Sequence, residues 1–92
     1  MTDVYLNMAT KIIKSQAQVV GPLAWSEANK LKNISIKDET VALTGKDSKQ
    51  VLDQLVGQYE TLFGQASVEV CREAVKTVTH DMDEADVPSR LK

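Results

Sequence analysis

Residues 4–31 read VYLNMATKIIKSQAQVVGPLAWSEANKL, and the reading of this stretch decides the fold. Placed at 100° per residue, Tyr5, Met8, Ala9, Ile12, Ile13, Ala17, Val19, Val20, Leu23 and Ala24 fall within an arc of roughly 180°. An ordinary surface helix carries a narrower apolar stripe, so this one has to be covered from two sides, as a central spine would be. Unbroken, the stretch would make a rod about 42 Å long at ~1.5 Å per residue, overhanging a domain whose radius of gyration should be near 13 Å. Gly21-Pro22 interrupts it. Proline inside a helix lacks its donor and collides with the carbonyl four residues back, at a cost of roughly 3 kcal/mol. The run is therefore either kinked or divided into two helices with Gly21 at the junction and Pro22 opening the second. Beyond Pro22 the apolar phase changes. Glu27 and Lys30 enter the arc of the earlier stripe and Trp25 leaves it, so that Ala24, Ala28 and Leu31 become the core-facing positions.

At Asn33 the period shortens to two. Ile34 and Ile36 flank Ser35, and Val41 and Leu43 flank Ala42. Pairing Ile36 with Val41 also pairs Ile34 with Leu43 and sets all four on one face, which predicts a β-hairpin. Its connection, Lys37-Asp38-Glu39-Thr40, lacks the Asn-Gly of tight primed turns, so a looser loop of about four residues is expected. Thr44-Gly45-Lys46 leaves the hairpin, and Asp47 or Ser48 caps a helix, with Gln50 completing a pattern that resembles a capping box. Val51, Leu52, Leu55, Val56, Tyr59, Leu62 and Phe63 then span an arc of about 140°. Gly64 is the expected stop. Ser67 is a candidate cap for a further helix, with Ser67, Val68, Val70, Cys71, Ala74, Val75 and Val78 inward and Glu69, Arg72, Glu73 and Lys76 outward. After Thr79 the pattern dissolves, and residues 80–92 read as an acidic, disordered tail behind a single domain of residues 1–79.

Composition bounds the function. The chain has 92 residues, a formal charge of −2 and only four aromatic side chains, so its core is small and aliphatic. Scattered basic residues leave no stripe of the kind nucleic acid selects, and no run is apolar enough for a signal peptide or membrane span. One cysteine suits a reducing compartment, and the expected location is cytoplasmic.

The candidate motifs are weak. Gly45-Lys46-Asp47-Ser48 resembles the end of a phosphate-binding loop, but Thr40 stands where the first glycine belongs, and Asp47 would repel a phosphate. Asp81, Asp83 and Asp86 imitate calcium spacing, yet Ala85, Asp86 and Lys92 occupy the fifth, sixth and twelfth places. Cys71 and His80, the single Cys and the single His, lie half a turn out of alignment on one helix, and two residues are too few for a structural zinc site. Cys71 reads as a buried thiol and His80 as an exposed residue near a helix C-terminus. No catalytic residue, metal or cofactor is expected. Trp25 reads either as turned into the core by the break or as a surface anchor.

The order Ile12-Ile13-Lys14, Val20-Gly21-Pro22-Leu23-Ala24, a short hairpin, then Tyr59-Glu60-Thr61-Leu62-Phe63-Gly64-Gln65-Ala66-Ser67 resembles small α+β modules found alone or as output domains of archaeal and bacterial signalling proteins. The likeness spans roughly residues 5–78, rests on structural motifs and implies a regulatory, protein-binding role.

The expected fold is α+β: a long N-terminal helix kinked at Pro22, a β-hairpin and two amphipathic C-terminal helices, in the order ααββαα if the helix breaks at Pro22. A small core, an over-wide spine and unpaired hairpin edges suggest a homodimer, with Tyr5, Met8, Ile12, Val19 and Trp25 as candidate interface. The leading functional expectation is a non-enzymatic interaction or regulatory module. The alternatives are a small-molecule sensor with a pocket between spine and hairpin, and a nucleic-acid-binding regulator.

Overall fold

The structure is a computed structural model describing residues 2–38, 40–44 and 47–92. Helices α1 (Thr2–Val20) and α2 (Leu23–Asn29) precede strands β1 (Ile34–Lys37) and β2 (Thr40–Leu43). Helices α3 (Ser48–Phe63) and α4 (Gln65–His80) follow, then single 3₁₀ turns at Glu84–Asp86 and Ser89–Leu91. The class is α+β.

The first stretch is divided, not bent. Gly21 has φ 77° and its amide donates to the Ala17 carbonyl at 2.9 Å, closing α1 in a left-handed residue that glycine adopts without strain. Pro22, at φ −58°, stands just ahead of α2, where its missing N–H deprives no helix of a bond. The 19 residues of α1 rise about 28 Å, which fits the 32 Å long axis of the molecule.

That helix is the spine. It contacts α2, α3, α4 and β2. It runs antiparallel to α4: Tyr5 donates to the Asp86 carbonyl beyond the end of α4, and Gln16 donates to the Ser67 carbonyl in its first turn. Met8, Ala9, Ile12 and Ile13 are fully buried, together with Leu52, Leu55, Val56 and Tyr59 of α3 and Cys71 and Val75 of α4. Beyond the break, Ala24 and Ala28 are buried and Leu31 packs on the core edge, as the shifted phase predicts. Glu27 enters the apolar arc because its carboxylate is met there by Lys30 (2.9 Å) and Gln58 (3.1 Å).

The hairpin register is Ile34↔Leu43, Ser35↔Ala42, Ile36↔Val41 and Lys37↔Thr40. Ile34 and Val41 are buried, Ile36 and Leu43 pack against the core, and Ser35, Lys37, Thr40 and Ala42 are exposed. The loop is shorter than expected. Pairing reaches Lys37 and Thr40, and Asp38 at φ 52° supplies the left-handed residue that Asn or Gly supplies elsewhere. Glu39, the other turn residue, lies outside the described residues.

Asp47 caps α3 by accepting from the Gln50 amide at 3.1 Å. Gly64, at φ 91°, ends α3 and opens α4 without an intervening loop. Ser67 is therefore not a cap. It lies inside the first turn of α4, buried, because the glycine reversal starts that helix at Gln65.

Residues 81–92 differ most from expectation. Where the composition predicts a disordered tail over residues 80–92, His80 ends α4 and residues 81–92 fold back along α3 and α4, with Val87, Pro88 and Leu91 buried in the core. The Arg90 amide donates to Asp53 Oδ1 at 2.9 Å, and its guanidinium lies 2.7 Å from Glu60. A Cβ on Gly57 would meet the Arg90 guanidinium at 3.1 Å, so the glycine leaves room for that side chain to cross α3. Three apolar residues spaced across a polar sequence carry too little period to announce this packing.

Candidate functional site

Helix ends converge at one pole of the bundle. The Tyr59 hydroxyl donates to the Ala24 carbonyl at 2.7 Å, holding the last turns of α3 against the start of α2. The Gln16–Ser67 bond brings the last turns of α1 beside the first turn of α4. Among the described residues, three large apolar side chains are exposed, all in the end turns of these helices: Val19 (66%), Leu23 (46%) and Leu62 (47%). They come from α1, α2 and α3, with half-buried Phe63 stacking on Tyr59 at 6.2 Å between ring centroids. Leu62 belongs to the apolar arc read from the sequence. It stands exposed in the last turn of α3, beside Phe63, which packs against the core.

The candidate interface residues do not form one surface. Met8 and Ile12 are fully buried within the chain. The arc that made them candidates is covered by α3 and α4, so the chain itself supplies the second cover of the spine. Tyr5 is half-buried at the opposite end of α1 and bonded to Asp86. Trp25 is half-buried and packs against the core, between the two readings open to it. Val19 remains exposed. Leu23 and Leu62, its companions at the pole, had only their apolar character to mark them, and on a helix wheel that signals burial.

The polar candidates are equally dispersed. Cys71 is fully buried, and Gln16 Nε2 lies 3.4 Å from its sulfur. Desolvation pushes the Cys71 thiol up to about 11, against a weaker opposing effect of the Gln16 hydrogen bond. A thiol held neutral is a poor nucleophile and metal ligand. His80 is exposed in the last turn of α4. Asp81, Asp83 and Asp86 line an open cleft of about 400 Å³ with Val4, Tyr5 and Met82. Burial and the nearby Asp86 raise the Tyr5 phenol above its ordinary value, so it stays a donor. Among the described residues, no group of three or more His, Cys, Asp or Glu is placed to hold a metal ion. Gly45 and Lys46 of the loop resembling a phosphate site lie outside the described residues, and the neighbouring Asp47 carboxylate is engaged as the α3 cap.

Among the described residues no helix is long and apolar enough to cross a membrane. No protein-family model, curated protein or solved structure matches the chain.

Proposed function

We propose that this protein is a non-enzymatic protein-interaction module of regulatory type that acts as a homodimer. The observation that carries the interaction reading is the pole where Val19, Leu23 and Leu62 stand exposed on three different helices, while the homodimer is suggested by the small core and the hairpin edge. Single exposed apolar residues are commonplace, but several gathered where rigid helix ends meet are characteristic of a protein-contact surface. The resemblance to small α+β modules of signalling proteins points the same way.

Two measurements test the reading. Sedimentation equilibrium should give twice the 10.1 kDa chain mass at micromolar concentration, and a monomer at high micromolar concentration rejects the homodimer. Capture from a lysate of the source cells should recover a protein with the wild-type chain that Leu23→Asp with Leu62→Asp loses. Equal recovery by both rejects the pole as the contact surface.

A further inference from the structure

The two edges of the hairpin are not equivalent. The Thr44 amide donates to the Asn33 carbonyl at 2.8 Å, which makes 33/44 a hydrogen-bonded pair. By the alternation of an antiparallel ladder, 35/42 and 37/40 are bonded pairs too, and residues 34, 36, 41 and 43 turn their peptide groups outward. On β1 both outward donors are occupied by the chain itself. The Ile34 amide reaches the Leu31 carbonyl at 3.3 Å, and the Ile36 amide reaches Asn29 Oδ1 at 3.0 Å. On β2, no hydrogen bond among the described residues ends on the outward N–H or C=O of Val41 or Leu43. Natural edge strands are commonly guarded by Lys, Pro or a bulge. Here β1 carries Lys37, whereas Thr40, Val41, Ala42, Leu43 and Thr44 bear no charge.

We infer that the outer edge of β2 is the seat of a second copy of this chain, joined strand to strand into a four-stranded antiparallel sheet centred on Ala42. The inference rests on the homodimer proposed above and names its surface. Outward groups at positions 41 and 43 are self-complementary. In antiparallel register Val41 faces Leu43 of the second copy, and Leu43 faces its Val41, giving four N–H···O=C bonds. The two-fold axis then stands perpendicular to the sheet between the two Ala42 residues, a non-bonded pair with Cα atoms about 4.5 Å apart. Methyl side chains permit that approach, and the uncharged strand brings no like charges together. A two-stranded hairpin is marginal alone, and four strands over helices are not. The inner faces of both hairpins, with Ile34 and Val41, stay on one side, so the helices of both copies lie on the same side of the shared sheet.

Ala42 is exposed in the single chain, so its substitution leaves the core untouched. Ala42→Lys sets two ammonium groups opposite each other at the axis and should weaken the dimer about tenfold by sedimentation. Ser35→Lys, on the same sheet face but on β1, should leave it unchanged. In a second arm, Ala42→Cys should form a covalent dimer under mild oxidation, because the pair spacing falls within disulfide geometry. Ser35→Cys should not, and buried Cys71 should not contribute. If the wild-type chain dimerises but A42K leaves the dimer intact and A42C stays uncrosslinked, the β2 edge is overturned while the homodimer stands. A wild-type chain that is monomeric throughout overturns both. The crosslinking arm decides the matter even if A42K fails to fold.

Discussion

Cys71 shows what one buried titratable group does to the stability of a small helical core. Its thiol is fully buried and shifted up from 9.0 to about 11, chiefly by desolvation. The unfolded chain therefore loses this proton before the folded chain does, and between pH 9 and pH 11 the folded state binds more protons. Stability present below pH 9 must fall as pH rises through that window, by on the order of 2 kcal/mol. Denaturant unfolding across pH 8–11 should show the decline, and Cys71→Ala should flatten it at some cost in packing. Tyr59, whose phenol is also raised by burial, contributes at the upper end. Gln16 is the companion feature. Its Nε2 serves Ser67 and Cys71 while its buried Oε1 has no partner among the described residues. Through the Ser67 carbonyl this amide ties the last turns of α1 to the first turn of α4.

At the scale of elements, the last twelve residues should be the first unit to open. They bury Val87, Pro88 and Leu91 and are otherwise fastened by exposed contacts: Arg90 with Asp53 and Glu60, Arg72 with the Arg90 carbonyl, Tyr5 with the Asp86 carbonyl and Lys49 with the Ala85 carbonyl. Exposed ion pairs contribute little, so the apolar residues carry the attachment. Leu91→Ala should destabilise the protein by about 2 kcal/mol. Hydrogen exchange should show amides of residues 84–92 opening well before those of α1 and α4, with the variant widening that gap. The larger elements were legible because their signals are local. The Gly21-Pro22 break, the Asp47 cap, the Gly64 stop and the Ile34–Leu43 register each depend on neighbours in sequence, and each formed. The hairpin loop is shorter than its composition suggests because Asp38 tolerates a left-handed backbone that the dipeptide does not advertise.

For the whole molecule, four helices and a hairpin close around one spine with a radius of gyration of 11.7 Å. A chain of this size buries little core, so association would couple directly to its stability. If the homodimer forms as proposed, the melting temperature should rise by about 4 °C for each tenfold increase in protein concentration. A concentration-independent melting temperature, measured by calorimetry across about two decades of protein concentration, would reject it.

By itself the sequence determined the class of fold, the order of its helices and strands, the place where the first run is interrupted and the pairing of the hairpin, whereas the structure decided that the interruption is a division and not a kink. Periodicity, caps and turn residues act over a few positions, and the chain carries them in plain order. Only the tertiary structure decided which apolar residues remain outside. Met8 and Ile12 match Val19 in character and share its arc, yet the first two lie under α3 and α4 and the third stands clear at the pole. The same holds for residues 81–92, whose few apolar side chains find burial only because α3 and α4 already present a groove. Burial depends on what the rest of the chain brings to a surface, and that is a property of long-range packing that no local period records.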